Sequence, residues 1–302
     1  MTSSPADFLR LPLAVVCHDA GAANLVIGWL RKSAGLRLRA HMQGPALPLW
    51  QAAFPDSLVI SLDEALQGAA QLLSGTGWAS LLEHEARVRA RTRGIPVIAA
   101  VDHWVNYRER FVRIGVEMLP DEVWISDDEA FAEAMRCFPG LTVRQFPNEY
   151  LLAQVSQVHT LDAQRTTFNS EHVLYALEPI RQPWSGNDIR AGEFQALDYF
   201  LSRLNSLGFS AKAQIRLRPH PSDAPGKYDT WLESRRAEYD VSLAPEESLA
   251  QAVSWADCIA GCESFVLIIG LAAGKKTVST LPPWGNSCRL PQARLIHLSH
   301  LP

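Results

Sequence analysis

The sequence has neither a long apolar run nor an excess of positive charge. No stretch of its 302 residues approaches the roughly 18 consecutive apolar residues that a membrane-spanning helix needs. Its 28 lysines and arginines are outnumbered by 32 acidic residues, for a formal net charge of −4. Nucleic-acid binding usually requires a basic surface. We therefore expect no nucleic-acid partner and at most peripheral contact with a membrane.

Cysteine is scarce and scattered. The chain has five cysteines, an odd number, and Cys258 and Cys262 are followed by no second pair of ligands at zinc-finger spacing. The N-terminal residues 1–7 also lack the basic start and apolar core of a secretion signal. We expect reduced cysteines, no metal cluster and a cytoplasmic location.

A dinucleotide-binding fingerprint is missing as well. The turn after the first predicted strand, from His18 to Asn24, lacks the spaced glycines of that motif, and no acidic residue clearly follows it at about 20 positions. NAD is therefore not an expected ligand, and the sequence predicts no bound cofactor.

The chain does contain a regular alternation of short apolar runs and longer helical stretches. The predicted strands are Leu13–Cys17, Leu36–His41, Ser57–Leu62, Ala69–Leu73, Ile95–Val101, Glu122–Ser126, Thr142–Phe146, His172–Leu177, Ala213–Arg218, Val241–Leu243, Asp257–Ala260 and Thr277–Ser279. The predicted helices are Leu25–Lys32, Ala79–Arg93, Asp128–Cys137, Gly192–Leu207, Tyr228–Tyr239, Ser248–Ser254 and Ser264–Ala273. Such alternation predicts parallel βαβ units. A polar segment over Glu149–Glu171 separates two halves. We therefore predict an α/β protein with two facing Rossmann-like domains, residues 1–155 and 156–302, and an active site in the cleft between them.

The most informative motif is Ile-Arg-Leu-Arg-Pro-His-Pro-Ser-Asp at residues 215–223. Its apolar alternation predicts a strand, and its two prolines end that strand because they cannot donate a backbone N–H. His220 is thereby held at the carboxyl end of a strand, where ligands bind in open α/β sheets. Arg218 and His220 together suit an anionic group such as a phosphate. The alternative is a strand exit with a solvated arginine face and a turn histidine. Arg181, in a proline-rich loop, is a weaker phosphate candidate.

A second candidate anion site is the turn after the predicted strand Asp257–Ala260. Gly261 lets a ligand approach the backbone closely, and Cys262 lies in the same turn. A helix that begins at Glu263 or Ser264 offers free N–H groups and the positive end of its dipole. We expect Ser264 to cap this helix or donate to a phosphate oxygen, and Glu263 to accept from ribose or sugar hydroxyls. The alternative is an ordinary capped turn.

In the first half, the turn from His18 to Asn24 carries two groups that can move protons. Its small residues would let a bulky ligand approach the backbone. Asp19, in preference to His18, is the candidate general base toward an acceptor hydroxyl, and Asn24 is a candidate acceptor contact. The alternative is that Asp19 or His18 caps the following helix.

Two later loops of the first half suit sugar binding. They combine aromatic faces, which stack on the apolar faces of sugars, with amide, carboxylate and guanidinium groups that bond to hydroxyls. The predicted acceptor contacts in these loops are Gly75, Thr76, Gly77, Trp78, Asp102, His103, Asn106 and Arg110. The alternative is a polar loop that leads into a helix and buries its aromatic residues.

The order of these features resembles the GT-B glycosyltransferase scaffold. The resemblance covers roughly residues 172–285 and includes Arg-Pro-His-Pro, then Ala-Asp-Cys-Ile-Ala-Gly-Cys-Glu-Ser before an apolar helix that ends in Gly-Lys-Lys. This half looks like the donor domains of bacterial surface-polysaccharide transferases with a His-Pro motif, both sialyltransferase-like and Kdo-transferase-like. The resemblance implies that His220 and Ser264 contact the donor phosphate.

From this resemblance we expect a glycosyltransferase that moves a sugar from a nucleotide-activated donor to a hydroxyl of a glycan or lipid-linked acceptor, in bacterial surface glycan or glycoconjugate synthesis. No Asp-x-Asp cluster appears where a metal-dependent transferase needs one, and Asp127-Asp128 more simply begins a helix. We therefore expect metal independence, with the nucleotide sugar as a co-substrate. Two alternatives stay open: a nucleotide-sugar epimerase or hydrolase on the same scaffold, and a non-catalytic nucleotide-sugar-binding protein.

Overall fold

The structure is a computed structural model that describes residues 4–32, 35–77, 80–165, 171–184 and 188–302. The chain divides into two compact units, Met1–Leu152 and Ala153–Pro302. Each unit contains one six-stranded sheet. Among the described residues, no helix is long and apolar enough to cross a membrane.

The first unit is a parallel sheet with helices on both faces. Its strands are β1 (Leu13–Cys17), β2 (Leu38–Met42), β3 (Gln71–Ser74), β4 (Val97–Ala100), β7 (Glu122–Ile125) and β8 (Thr142–Gln145), and β5 (Val112–Arg113) with β6 (Val116–Glu117) forms a separate antiparallel hairpin. Its helices are α1 (Ala20–Arg31), α2 (Ala46–Ala53), α3 (Leu62–Leu66), α4 (Leu82–Thr92) and α5 (Asp128–Cys137). Helix α6 (Glu149–Asp162) continues into the second unit. The sheet order is β2-β1-β3-β4-β7-β8, and every neighbouring pair is parallel.

Strand β1 shows why this sequence forms such a sheet. All five of its residues are apolar and buried, as a parallel strand covered on both faces requires. Its odd-numbered residues join the core around Trp29 and Trp50, and its even-numbered residues join the core around Leu66 and Ala86 on the other face.

The second unit repeats this architecture with a different strand order. Its strands are β9 (His172–Ala176), β10 (Gln214–Arg218), β11 (Val241–Leu243), β12 (Cys258–Gly261), β13 (Lys276–Ser279) and β14 (Ile296–His297), and its helices are α7 (Gly192–Ser202), α8 (Asp229–Arg235), α9 (Leu249–Trp255) and α10 (Phe265–Ala272). The order is β11-β10-β9-β12-β13-β14, again with parallel neighbours. The predicted α/β class with two Rossmann-like domains is confirmed.

Each sheet has a point where the chain reverses its direction of winding. In the first sheet this topological switch point lies between β1 and β3, and in the second it lies between β9 and β12. Ligands of open α/β sheets bind at the carboxyl ends of the strands beside this point. The topology thus marks the turns after β1, β3, β9 and β12 as the places to look for a site.

The sequence-based elements differ from the structure in a few places. The predicted strand Ser57–Leu62 is wrong: the segment makes a single bridge, Ala40 to Val59, and then Ser61 begins α3 in a capping box with Glu64. Helix α1 begins at Ala20 rather than at Leu25. Helix α2, the β5–β6 hairpin and β14 were not expected.

Candidate functional site

The two predicted phosphate-binding motifs of the second unit lie at one edge of one sheet. Arg218 at the end of β10 and Gly261 at the end of β12 are both in register with Ala176 of the intervening strand β9. Neighbouring strands are about 4.8 Å apart, so these ends are separated by roughly 10 Å. His220 and Ser264 follow two residues after β10 and three after β12, respectively. The sheet therefore brings the two motifs to the same edge, on either side of β9.

The turn that carries His220 is held by Asp223. The His220 amide donates to Asp223 Oδ2 at 3.0 Å, and the Asp223 amide donates back to the His220 carbonyl at 2.8 Å. Tyr228, Lys227 and Arg181 also bond to the Asp223 carboxylate, whose side chain is 1% exposed. Burial raises the pKa of the Asp223 carboxyl, but these bonds outweigh it and leave the pKa at about 2. Burial lowers the pKa of the half-buried His220 ring.

The turn between β12 and α10 is already bonded to a carboxylate. Glu178, at the end of β9, accepts from the amides of Cys262 at 2.9 Å and Glu263 at 2.7 Å across the switch point. Burial raises the pKa of the Glu178 carboxyl to about 7. Ser264 caps α10 by accepting from the Val266 amide at 3.3 Å. A phosphate can use these amides only after the Glu178 carboxylate leaves or is neutralised.

Three other predicted donor-site side chains have partners within the second unit. Arg218 donates to the Glu247 carbonyl at 3.3 Å. Arg181 pairs with the buried carboxylates of Asp223 at 2.8 Å and Glu193 at 3.2 Å. Glu263 pairs with Arg289 at 2.8 Å. The Glu263 carboxylate is therefore already paired with the Arg289 guanidinium. Arg181 belongs to the group of side chains that bond to Asp223 and hold the His220 turn.

In the first unit, His18 and Asp19 form a hydrogen-bonded pair at the switch point. The distance from His18 Nδ1 to Asp19 Oδ1 is 2.7 Å, and the two side chains are 18% and 28% exposed. Asp19 stands at the N-cap of α1 but makes no side-chain cap bond, so the capping alternative is wrong for it. A carboxylate on Nδ1 orients the imidazole and leaves Nε2 as the basic nitrogen. In this geometry His18 Nε2 is the nitrogen that could take a proton, and Asp19 is the group that orients the ring.

The glycines at this edge make room for carboxylates of the protein itself. A Cβ added to Gly21 would lie 2.0 Å from Asp102 Oδ2, and one added to Gly77 would lie 1.9 Å from Asp19 Oδ2. The expectation that the small residues of the His18–Asn24 turn leave space for a ligand is therefore wrong at Gly21.

Several predicted acceptor contacts are buried supports. Thr76 is 0% exposed and donates to the Ala100 carbonyl at 3.0 Å. Arg110 is 4% exposed and donates to Asp102 at 3.0 Å and to Thr76. Gly75 and Gly77 are buried as well. Direct contact between these four residues and an acceptor is excluded in this conformation, and Arg110 positions Asp102 instead.

The remaining predicted acceptor residues keep some exposure. Asp102, His103 and Asn24 are half-buried and Asn106 is exposed. Asn106 has a φ of +57° and its carbonyl accepts from the Arg110 amide, so it also serves the turn. Trp78 lies outside the described residues.

Two buried residues of the first unit were not singled out from the sequence. Glu83 of α4 accepts from the amides of His18 at 3.0 Å and Gly77 at 2.7 Å, and so ties together the turns after β1 and β3. Burial raises the pKa of its carboxyl. Arg87, one helical turn later, donates to the Gly75 carbonyl at 2.9 Å. Both charged residues stand on the apolar stripe of α4, and that placement is a signal available in the sequence.

Glu83 and Glu178 make similar contacts in the two units, with Glu83 on α4 and Glu178 in the loop after β9. Each carboxylate accepts from two backbone amides at a topological switch point. Within the described ranges, no group of three or more His, Cys, Asp and Glu side chains could hold a metal ion.

No protein-family model matches the chain, and no curated protein matches it. Solved structures do resemble it. UDP-GlcNAc 2-epimerase from Methanocaldococcus jannaschii, in complex with UDP-GlcNAc and UDP, has a TM-score of 0.63 at 9% identity, over 94% of this chain and 88% of that one. A glycosyltransferase from Rickettsia africae has a TM-score of 0.56 at 10% identity, over 95% and 84%. MurG from Acinetobacter baumannii has a TM-score of 0.51 at 12% identity, over 88% and 78%. At these identities the likeness establishes the fold, which is the GT-B fold with two Rossmann-like domains.

Proposed function

We propose that the protein is a metal-independent glycosyltransferase that moves a sugar from a nucleotide-activated donor to a hydroxyl acceptor. The observation that carries this proposal is the position of His220 and the Gly261–Ser264 turn on either side of the switch-point strand β9. The second unit would bind the donor there. His220 would stabilise the charge that develops on the leaving phosphate.

The first unit would bind the acceptor and supply the base. His18 Nε2 would take the proton of the attacking hydroxyl, and Asp19 would hold the ring and stabilise its charged form. Asp102, held by the buried Arg110, would bond to acceptor hydroxyls. His103, Asn106 and Asn24 remain candidates for the same role. We also propose that the enzyme acts in bacterial surface glycan synthesis and is cytoplasmic. Its proposed subtype is sialyltransferase-like or Kdo-transferase-like.

Likeness to structures named as glycosyltransferases and as UDP-GlcNAc 2-epimerases supports the scaffold for both activities. An epimerase or hydrolase is therefore the second candidate. It is favoured by the carboxylates Asp19 and Asp102, which keep some exposure and lie in the turns after β1 and β4 of the first unit. Such groups can move protons on the sugar itself.

The experiment that separates the candidates measures nucleotide release from UDP-, CMP-, GDP- and CDP-linked sugars with and without a panel of glycan acceptors. Acceptor-dependent release is the result expected for a transferase. Release or sugar isomerisation without acceptor would favour the epimerase or hydrolase, and tight binding without any turnover would favour a binding protein.

His220→Ala tests the donor role within that assay. We expect a loss of about 100-fold or more in turnover with an unchanged fold, because one electrostatic stabiliser of the leaving group is removed. The exposed His300→Ala is the matched control and should keep full activity. Unchanged turnover in His220→Ala would remove His220 from the mechanism.

A further inference from the structure

The His220 ring has a fixed hydrogen-bonding direction. Its Nδ1 lies 3.2 Å from the backbone nitrogen of Ser222 and 2.8 Å from Ser222 Oγ. A backbone N–H can only donate, so Nδ1 must offer its lone pair to it. The ring proton then belongs on Nε2.

The turn around the ring leaves little freedom for another arrangement. Pro219 and Pro221 fix the backbone φ on both sides of His220 at about −65°. The Asp223 carboxylate accepts from the His220 amide, and it is itself bonded by Tyr228 at 3.0 Å and by Lys227 at 2.8 Å. Because Lys227 and Tyr228 lie in the next turn, just before α8, the His220 turn cannot shift without breaking their bonds to the buried Asp223 carboxylate.

Burial is the main cause that lowers the pKa of the His220 ring and so favours its neutral form. Arg181 and Lys227 act in the same direction, and Asp223 opposes them. Arg181 and Lys227 both pair with Asp223 and so neutralise its carboxylate. A second ring proton would also place an Nδ1–H donor against the Ser222 N–H donor.

We propose that Ser222 and Asp223 are positioning residues that hold His220 as the neutral tautomer with its proton on Nε2, so that the ring donates a hydrogen bond to an anionic ligand oxygen. The identity of that oxygen as a donor phosphate rests on the proposed function. In this role the ring stabilises the leaving phosphate by a hydrogen bond and keeps its proton throughout. It does not act as a general acid.

The test of the tautomer is nitrogen-15 NMR of the full-length protein labelled at its nine histidines, with His220→Gln used to assign the His220 signals. We expect an unprotonated-type signal for Nδ1 and a protonated-type signal for Nε2 from pH 6.5 to 8. Ser222→Pro, which removes the N–H, should mix the two tautomers, whereas Ser222→Ala, which keeps it, should not. A proton on Nδ1, a charged ring at pH 7.5, or an unchanged tautomer in Ser222→Pro would overturn the proposal.

The test of the hydrogen bond compares two isosteric replacements. The Gln amide places an N–H near the position of Nε2, and the Asn amide places one near Nδ1. We expect His220→Gln to retain at least about tenfold more kcat/KM for the nucleotide sugar than His220→Asn, which should fall about 100-fold like the alanine variant. Equal activities would overturn the donor role. If no nucleotide sugar is turned over by any form, the proposed function fails, and the NMR result still decides the tautomer.

Discussion

At the scale of single residues, the His18–Asp19 pair gives a specific prediction for kcat and for the donor KM. Asp19→Asn keeps the shape of the side chain but removes the charge that stabilises a protonated His18. We expect kcat to fall about 100-fold or more, because positioned acid–base groups typically contribute 10²–10⁴-fold. The donor KM should change little, since donor binding is assigned to the second unit.

The control for this variant is Asp56→Asn, which changes an exposed carboxylate of the same unit. It should behave as wild type in steady-state kinetics. A rise in donor KM with unchanged kcat in Asp19→Asn would contradict the base role of the pair.

Glu178 links the pH of the solution to stability. Its pKa in the folded chain is about 7 and its usual value is near 4.5, so the folded state binds more protons than the unfolded state between these values. Its contribution to the free energy of unfolding is therefore largest below about pH 4.5 and is lost as the pH rises to 7. A shift of this size corresponds to on the order of 3 kcal/mol.

Glu178→Gln should remove this dependence, because glutamine resembles the protonated acid at every pH. Denaturant unfolding from pH 5 to 8 measures the free energy of unfolding of wild type and of the variant. The variant should gain stability relative to wild type as the pH rises, and the difference should level off above pH 7. Glu233→Gln, at an exposed position of α8, should show a constant difference. A difference for Glu178→Gln that is equally constant across this range would refute the titration.

At the scale of elements, the turn after β3 depends on Gly77. An alanine Cβ there would meet the Asp19 carboxylate at 1.9 Å, so either the turn or Asp19 must move. We expect Gly77→Ala to lose about 1–3 kcal/mol of stability, as overpacked sites do, and to lose turnover as well. Gly140→Ala, where no atom lies within 4 Å of the new Cβ, should retain both. Thermal unfolding and the nucleotide-release assay measure stability and turnover of both variants. A fully active Gly77→Ala would show that turnover does not require the Asp19 carboxylate to lie against the turn after β3.

The elements also show how far sequence patterns reach. Strand β1 and helix α5 were predicted to the residue, because a run of five apolar residues and an Asp127 cap are local signals. The predicted strand Ser57–Leu62 failed because the Ser61 capping box outweighed its apolar residues.

Side-chain partners across strands were less accessible from the sequence than the strands themselves. The motifs of His220 and Ser264 could be placed at one sheet edge, because parallel strands align their carboxyl ends. The insertion of Glu178 among the Cys262 and Glu263 amides could not be placed, because it depends on contacts 84 and 85 residues apart in the chain.

At the scale of the whole molecule, the two units should separate binding from chemistry. A nucleotide sugar at 100 times its dissociation constant adds about 2.7 kcal/mol of stability, which a thermal-shift screen detects. Wild type and Asp19→Asn should both be stabilised, because the base does not hold the donor. His220→Ala should lose most of the shift, because it lacks the proposed contact between the His220 ring and the donor phosphate.

Metal independence is also tested on the whole molecule, because turnover would depend on a catalytic cation wherever in the chain it is bound. We expect acceptor-dependent nucleotide release to be unchanged after dialysis against EDTA and unaffected by added Mg²⁺ or Mn²⁺. The proposed function gives the physical reason: His220 would donate a hydrogen bond to the leaving phosphate, and the backbone amides of Cys262 and Glu263 would add positive potential there once Glu178 no longer occupies them. If EDTA abolishes release and a divalent cation restores it, the charge at the phosphate is carried by the metal, and His220 keeps at most a secondary role.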